Sequence, residues 1–134
     1  MSKINWGAQL GWGDDQIEDI RNTGYAYVRQ GKYEIALPLF EALIVLEPNN
    51  PYNAQTVGAI YLQLGKAEES IKALDIALKM DTDHAPTLLN FTKALFMLGR
   101  HEDGLKLANI LKNEKDMQIA NVAKALILAY GTSK

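Results

Sequence analysis

Residues 24–48 read GYAYVRQGKYEIALPLFEALIVLEP, and the same pattern of small, aromatic and aliphatic residues returns farther along the chain. A shift of 34 residues places Gly58 on Gly24 and Tyr61 on Tyr27. The same period keeps three further glycines in step, namely Gly31, Gly65 and Gly99. Fixed periods of this length are typical of repeat proteins, in which each repeat is one supersecondary unit. The chain is therefore predicted to contain three copies of one unit.

Each unit reads as two helices joined by a turn. In the first unit Ile20, Gly24 and Tyr27 recur at helical spacing. Gly31 can take the left-handed conformation that ends such a helix. A second apolar helix follows, and the run Glu47-Pro48-Asn49-Asn50 breaks it. The pattern predicts an all-α fold.

The repeats divide the chain into three parts. Residues 1–14 are an N-terminal segment, and residues 15–118 hold the three units at about 17–50, 51–84 and 85–118. Residues 119–134 supply a capping helix and tail, because a stack of helix pairs needs its last apolar face covered. Since this last helix is apolar on most sides, burial as a cap is the first interpretation. The alternative is that its outer side docks on a second subunit.

The residues at fixed positions in the first unit resemble the signature of the tetratricopeptide repeat: Gly24, Tyr27, Gly31, Tyr33, Ala36, Phe40 and Pro48. The third unit departs from the signature at Thr92, His101 and Gly104. The resemblance implies a right-handed superhelix of three tetratricopeptide helix pairs plus a C-terminal capping helix. It also implies a concave groove lined by the first helix of each pair.

Composition excludes several function classes. The chain has 134 residues, no cysteine and a formal net charge of −2, with no basic block for nucleic acid. His84 and His101 have no second ligand at metal spacing, so no metal site and no cofactor are expected. No acid–base pair, serine elbow or phosphate loop is present, so an enzyme is not expected. Without a secretory signal or a spanning stretch, the expected location is the cytoplasm.

The groove positions are those turned away from the packing face of each first helix. Beside Glu18 and Pro86, they are Arg21, Tyr25, Val28, Arg29, Tyr52, Gln55, Ala59, Leu62, Gln63, Leu89, Lys93, Phe96 and Met97. Half of these positions are apolar or aromatic, and an open apolar stripe usually marks a binding site. The alternative for Phe96 and Met97 is burial under the terminal helix.

The same positions indicate the kind of partner. Tetratricopeptide domains that hold acidic chaperone tails use a lysine and asparagines on the inner helices. At the matching positions this chain has Arg21 and Tyr25, then Gln55 and Ala59. The predicted partner is therefore an extended protein segment with apolar anchors, not an acidic tail.

A narrower resemblance lies in residues 31–46. The phrase Phe40-Glu41-Ala42-Leu43 followed by Val45-Leu46 is similar to that of bacterial type III secretion chaperones. The resemblance implies a cytoplasmic chaperone for a secreted translocator or needle subunit, working as a homodimer or heterodimer and not inserted in a membrane. The alternative is a general scaffold that bridges partners in a protein complex.

The repeat does not account for the N-terminal run from Trp6 to Gly13. The side chains of Trp6 and Trp12 are not expected to remain exposed to water, and tryptophan is favoured at interface hot spots. Two interpretations stay open. The tryptophans cap the first unit, or they form a dimer contact.

Overall fold

The structure is a computed structural model that describes residue 11 and residues 13–131. Within this part of the chain there are seven helices and no strand, so the all-α expectation is confirmed. In chain order they are α1 Asp14–Arg29, α2 Tyr33–Leu46, α3 Pro51–Gln63, α4 Ala67–Met80, α5 Ala85–Met97, α6 His101–Leu111 and α7 Met117–Tyr130. Each helix packs against the next one, and α5 also contacts both α3 and α7.

A glycine with a left-handed backbone closes the first helix of each pair. The φ angles are 73° at Gly31, 75° at Gly65 and 79° at Gly99, a region that side-chain-bearing residues rarely adopt. In each turn the amide after the glycine reaches back to a carbonyl near the helix end, as from Lys32 to Tyr27 at 2.9 Å. The turn geometry therefore explains why these glycines keep the period without slippage.

Close approach of the two helices explains the other recurring small positions. A Cβ atom added at Gly24 would lie 2.6 Å from the Phe40 ring, and one at Gly58 would lie 2.4 Å from Leu74. Phe40 and Leu74 are fully buried. In the second pair Ser70 is also small, and its hydroxyl donates to the Gly58 carbonyl at 2.8 Å. Small residues on one helix thus admit large ones from the other.

The last helix closes the stack. Asp116 caps its first turn by accepting a hydrogen bond from the Gln118 amide at 2.9 Å. Ile119 and Ala123 of α7 bury against Leu89 of α5 and Leu111 of α6. None of the helices in the described ranges is long and apolar enough to cross a membrane.

Candidate functional site

The first helices of the pairs, α1, α3 and α5, carry the predicted groove positions. Two clefts open on them. We call one the N-terminal cleft; its volume is about 380 Å³ and it is lined by Arg21, Tyr25, Asn50 and Tyr52. We call the other the central cleft; its volume is about 230 Å³ and it is lined by Val28, Tyr33, Thr56, Ala59, Ile60, Gln63 and Asn90. Six of the predicted groove residues therefore meet at these two clefts.

Aromatic rings form the wall of the N-terminal cleft. Tyr25 packs edge-on against Phe40 of the core, with ring centroids 5.0 Å apart. On its other side it meets Tyr52 in a second edge-on contact at 6.1 Å. Tyr52 is 51% exposed, whereas Tyr25 is partly buried. The core thus fixes Tyr25, while Tyr52 stands at the rim.

The hydroxyl group of Tyr25 is buried and unpaired. No group in the described part of the chain meets hydrogen-bond geometry with it, although Tyr52 and Thr56 are near enough to influence its pKa. Burial, together with the neighbouring Tyr52 hydroxyl, raises the pKa of Tyr25 to about 12. Buried polar groups are nearly always hydrogen-bonded in folded proteins, so an orphan hydroxyl in a cleft wall calls for an explanation.

Arg21 serves as an internal clamp between the first and second pairs. Its guanidinium donates to the carboxylate of Glu47, to Asn53 Oδ1 at 2.8 Å and to Glu18 Oε1 at 3.3 Å. Asn53 is fully buried and also donates to Glu47 Oε1 and to the Leu43 carbonyl. Arg21 is only 15% exposed, so its charge is largely used inside the fold.

The pKa values in this cluster follow from the pairing. Burial by itself would raise the pKa of Glu47, but hydrogen bonds from Arg21 and Asn53 hold that pKa below its ordinary value. Burial likewise opposes the charge of Arg21, and the hydrogen bond and attraction of Glu47 raise its pKa. Both groups therefore stay charged near neutral pH. The guanidinium of Arg21, which lines the N-terminal cleft, is therefore already engaged by the carboxylates of Glu47 and Glu18.

The central cleft is uncharged. Val28 from α1, Ala59 and Gln63 from α3, and Asn90 from α5 meet there, so the cleft joins the inner helices of all three pairs. The side-chain amides of Gln63 and Asn90 make no hydrogen bond to any residue in the described ranges. Amide groups both donate and accept, which is what the main chain of an extended peptide requires.

Two predicted groove positions are wrong. Leu89 is 7% exposed and Phe96 is 4% exposed, and both lie in the protein's own core. Phe96 lies over Gly104, where an added Cβ would come within 2.9 Å of its ring, and Tyr130 of α7 stacks on it. The small residue on α6 and the terminal helix together turn this part of α5 inward.

The remaining predicted positions do not line either cleft. Gln55, Leu62 and Lys93 are partly exposed, and Arg29 is exposed; Met97 is 50% exposed. Trp6 and Trp12 lie outside the described residues. In the ranges that the structure describes, no group of acidic or histidine side chains is arranged to hold a metal ion.

Sequence reasoning missed five cleft-lining residues: Tyr33, Asn50, Thr56, Ile60 and Asn90. Thr56 and Asn90 occupy equivalent places, one residue after the predicted positions Gln55 and Leu89. A wider arc of the helix face would have included both. Asn50 caps α3 by accepting from the Tyr52 amide at 3.0 Å, and a helix-start pattern gives no sign that such a cap also lines a cleft.

Comparison with known proteins supports the assignment of the repeat. The family described as "Anaphase-promoting complex, cyclosome, subunit 3" matches residues 23–109. Among curated relatives, Superkiller complex protein 3 of Mus musculus is 32% identical over 79 residues, which cover 59% of this chain and 5% of that protein. This chain therefore spans only a small part of that relative's length.

Solved structures share the fold. One is PcrH of Pseudomonas aeruginosa in complex with the chaperone binding region of PopD, which matches with a TM-score of 0.79 and 21% sequence identity. The match covers 90% of this chain and 95% of the PcrH chain. Another is the Yersinia enterocolitica type III secretion chaperone SycD in complex with a peptide of the translocator YopD, which matches with a TM-score of 0.78 and 22% sequence identity. The match covers 89% of this chain and 95% of the SycD chain. Likeness at this identity establishes the fold, in which the chain resembles these chaperones.

Proposed function

Because the chain belongs to the tetratricopeptide-type family of subunit 3 of the anaphase-promoting complex, or cyclosome, we propose that it binds an extended segment of a partner protein. The segment lies across α1, α3 and α5, in the N-terminal and central clefts. Such a role needs no catalytic group. The function is recognition of a polypeptide, without a chemical reaction.

One observation carries this proposal. The central cleft brings together uncharged side chains from all three inner helices, and the amides of Gln63 and Asn90 have no internal partner among the described residues. Apolar walls at Val28 and Ala59 suit an aliphatic anchor, while the two amides suit the peptide main chain. The preferred segment is therefore extended, uncharged in its central part and apolar at intervals.

The more specific proposal is a cytoplasmic chaperone that holds a secreted subunit of a type III system before export. Residues 31–46 support it through their similarity to those chaperones, and so do the two solved complexes with segments of PopD and YopD. A partner held this way is expected to be insoluble when produced alone. Co-expression with this chain should make it soluble.

The alternative is a scaffold that bridges folded partners. The names of the matching family and of the mouse relative, both referring to complexes, favour it. The two functions predict different kinds of co-purifying protein. A scaffold would co-purify with soluble, folded proteins, and co-expression would not change their solubility.

Two groove variants test the proposed binding surface, using the partner identified by co-purification. Tyr52→Glu in the N-terminal cleft and Ala59→Glu in the central cleft should each weaken binding at least about tenfold, because the new carboxylate would be desolvated against the bound segment. Ile76→Glu is the matched control, since Ile76 is 52% exposed but lies on α4, outside the groove. Circular dichroism checks the fold and a pull-down measures retention. Full retention by folded groove variants would refute the binding surface.

A further inference from the structure

The N-terminal cleft contains a polar group that the fold itself does not use. The Tyr25 oxygen is covered by protein and has no hydrogen-bond partner among the residues that the structure describes. A buried hydroxyl without a partner destabilises the free protein, because it loses water and gains nothing in return. A phenylalanine at this position would fill the same space without that cost. The hydroxyl is therefore available to a group outside the residues that the structure describes.

The position of the hydroxyl indicates how a ligand could reach it. Tyr25 is fixed on one side by Phe40, whereas its other neighbour, Tyr52, is half exposed at the second residue of α3. Exposed side chains change rotamer on a fast timescale, while buried rings are held by their packing. Tyr52 is thus the movable side of the contact, and its displacement would open the cleft onto the Tyr25 oxygen.

The surrounding charges decide which acceptor fits. Arg21 already donates to Glu18 and Glu47, so one cation faces two carboxylates beside the cleft. An additional carboxylate from a ligand would meet a guanidinium that is already engaged, and it would be repelled by the carboxylates of Glu18 and Glu47. A neutral carbonyl oxygen meets neither obstacle.

Resting on the proposed function, we propose that the bound segment displaces the Tyr52 ring and that the Tyr25 hydroxyl then donates a hydrogen bond to an uncharged carbonyl oxygen of that segment. The carbonyl belongs to the main chain or to an Asn or Gln side chain of the segment. Tyr25 is thereby a specificity determinant that favours neutral over acidic segments. Its unpaired hydroxyl in the free protein is the cost of that selectivity.

The test uses individual peptides selected from a random phage-displayed library on the wild-type protein. Tyr25→Phe should weaken their binding roughly 3- to 10-fold, as loss of one hydrogen bond does, while the melting temperature of the free protein stays the same or rises. Tyr61→Phe is the matched control, because the Tyr61 hydroxyl already donates to Glu41 at 3.2 Å, outside both clefts. It should leave peptide affinity unchanged.

Each other outcome has a definite meaning. Equal affinity of Tyr25→Phe and wild type, with Tyr52→Glu still weakening binding, overturns the role of the hydroxyl and leaves the proposed function standing. A lower melting temperature of Tyr25→Phe also overturns it, because the hydroxyl would then have an internal partner. If no peptide is selected, or if Tyr52→Glu binds normally, the hydroxyl role and the groove both fail.

The selected peptides also identify the acceptor. If the acceptor is a main-chain carbonyl, Tyr25→Phe should still weaken binding after every Asn→Ala and Gln→Ala change in the peptide. If the acceptor is a side-chain carbonyl, one of these changes should abolish the difference in affinity between Tyr25→Phe and wild type. Replacement of a neutral central residue of the peptide by Glu should weaken binding in both cases, and tighter binding of the acidic peptide would overturn the preference for a neutral segment.

Discussion

The ring of Tyr130 is stacked on the ring of Phe96, with centroids 4.2 Å apart and planes 9° from parallel. This contact joins the last turn of α7 to the end of α5. His101, at the start of α6, also lies against both rings, at 5.8 Å from Phe96 and 4.9 Å from Tyr130. Three helices thus meet in one aromatic cluster, which turns Phe96 away from the groove and closes the end of the stack.

Tyr130→Ala should lower the free energy of unfolding by about 1–3 kcal/mol, because it removes a stacked partner and uncovers Phe96. Chemical denaturation followed by circular dichroism measures the change. Ile110→Ala is the control and should cost less than about 0.5 kcal/mol, since Ile110 is 65% exposed on α6. Equal effects of the two variants would mean that α7 is not held by this cluster.

For Gly58→Ala, two physical effects predict opposite changes in the free energy of unfolding. Helix propensity alone favours alanine by about 1 kcal/mol. The added Cβ would lie 2.4 Å from Leu74, which is fully buried and cannot move outward, so overpacking should cost about 1–3 kcal/mol. We expect net destabilisation in urea unfolding, with Lys72→Ala on the exposed face of α4 as a near-neutral control. A stabilised Gly58→Ala variant would show that close helix approach is not limiting.

Acid should weaken the Arg21–Glu47 clamp. The folded pKa of Glu47 lies below its unfolded value of 4.5, so the clamp contributes fully above that pH and its contribution is lost as the pH falls through the folded pKa. Glu47→Gln should cost about 1–3 kcal/mol near neutral pH, because Arg21 and Asn53 lose a charged partner. The difference from wild type should shrink at about pH 3.

The control for this pH dependence is Asp75→Asn, which breaks the exposed ion pair with Lys79 on α4. Exposed pairs contribute about 0–1 kcal/mol, so this variant should track wild type across the same pH range. Urea midpoints at both pH values provide the comparison. A Glu47→Gln difference that is constant with pH would mean that the clamp does not depend on the charge of Glu47.

The sequence predicted the repeat well because its determinants are local. Gly31, Gly65 and Gly99 each end a helix by their own backbone conformation, and Gly24 and Gly58 face large residues at a fixed distance in the chain. The helix pairs and the all-α class follow from those positions alone.

The groove was harder to predict because exposure depends on distant elements. Phe96 occupies a groove position by period, but Tyr130 and Gly104 bury it, and no pattern within α5 reports their positions. Arg21 was expected to face a ligand, yet its partners Glu47 and Asn53 lie 26 and 32 residues away in the chain. Helical periodicity predicts which way a side chain points around its own helix. It does not predict which residue of another helix will pack against that side chain.

Ala59→Phe should block the central cleft. Ala59 lines it together with Val28 and Gln63, and a phenyl group would occupy part of its roughly 230 Å³ without entering the core, because Ala59 is only partly buried. We expect at least about a tenfold loss of partner affinity by isothermal titration calorimetry, with helix content unchanged. Ala42→Phe is the matched control, since Ala42 is exposed on α2 and lines neither cleft. If both variants bind as wild type does, the partner does not use the central cleft; if both lose binding, the loss cannot be assigned to it.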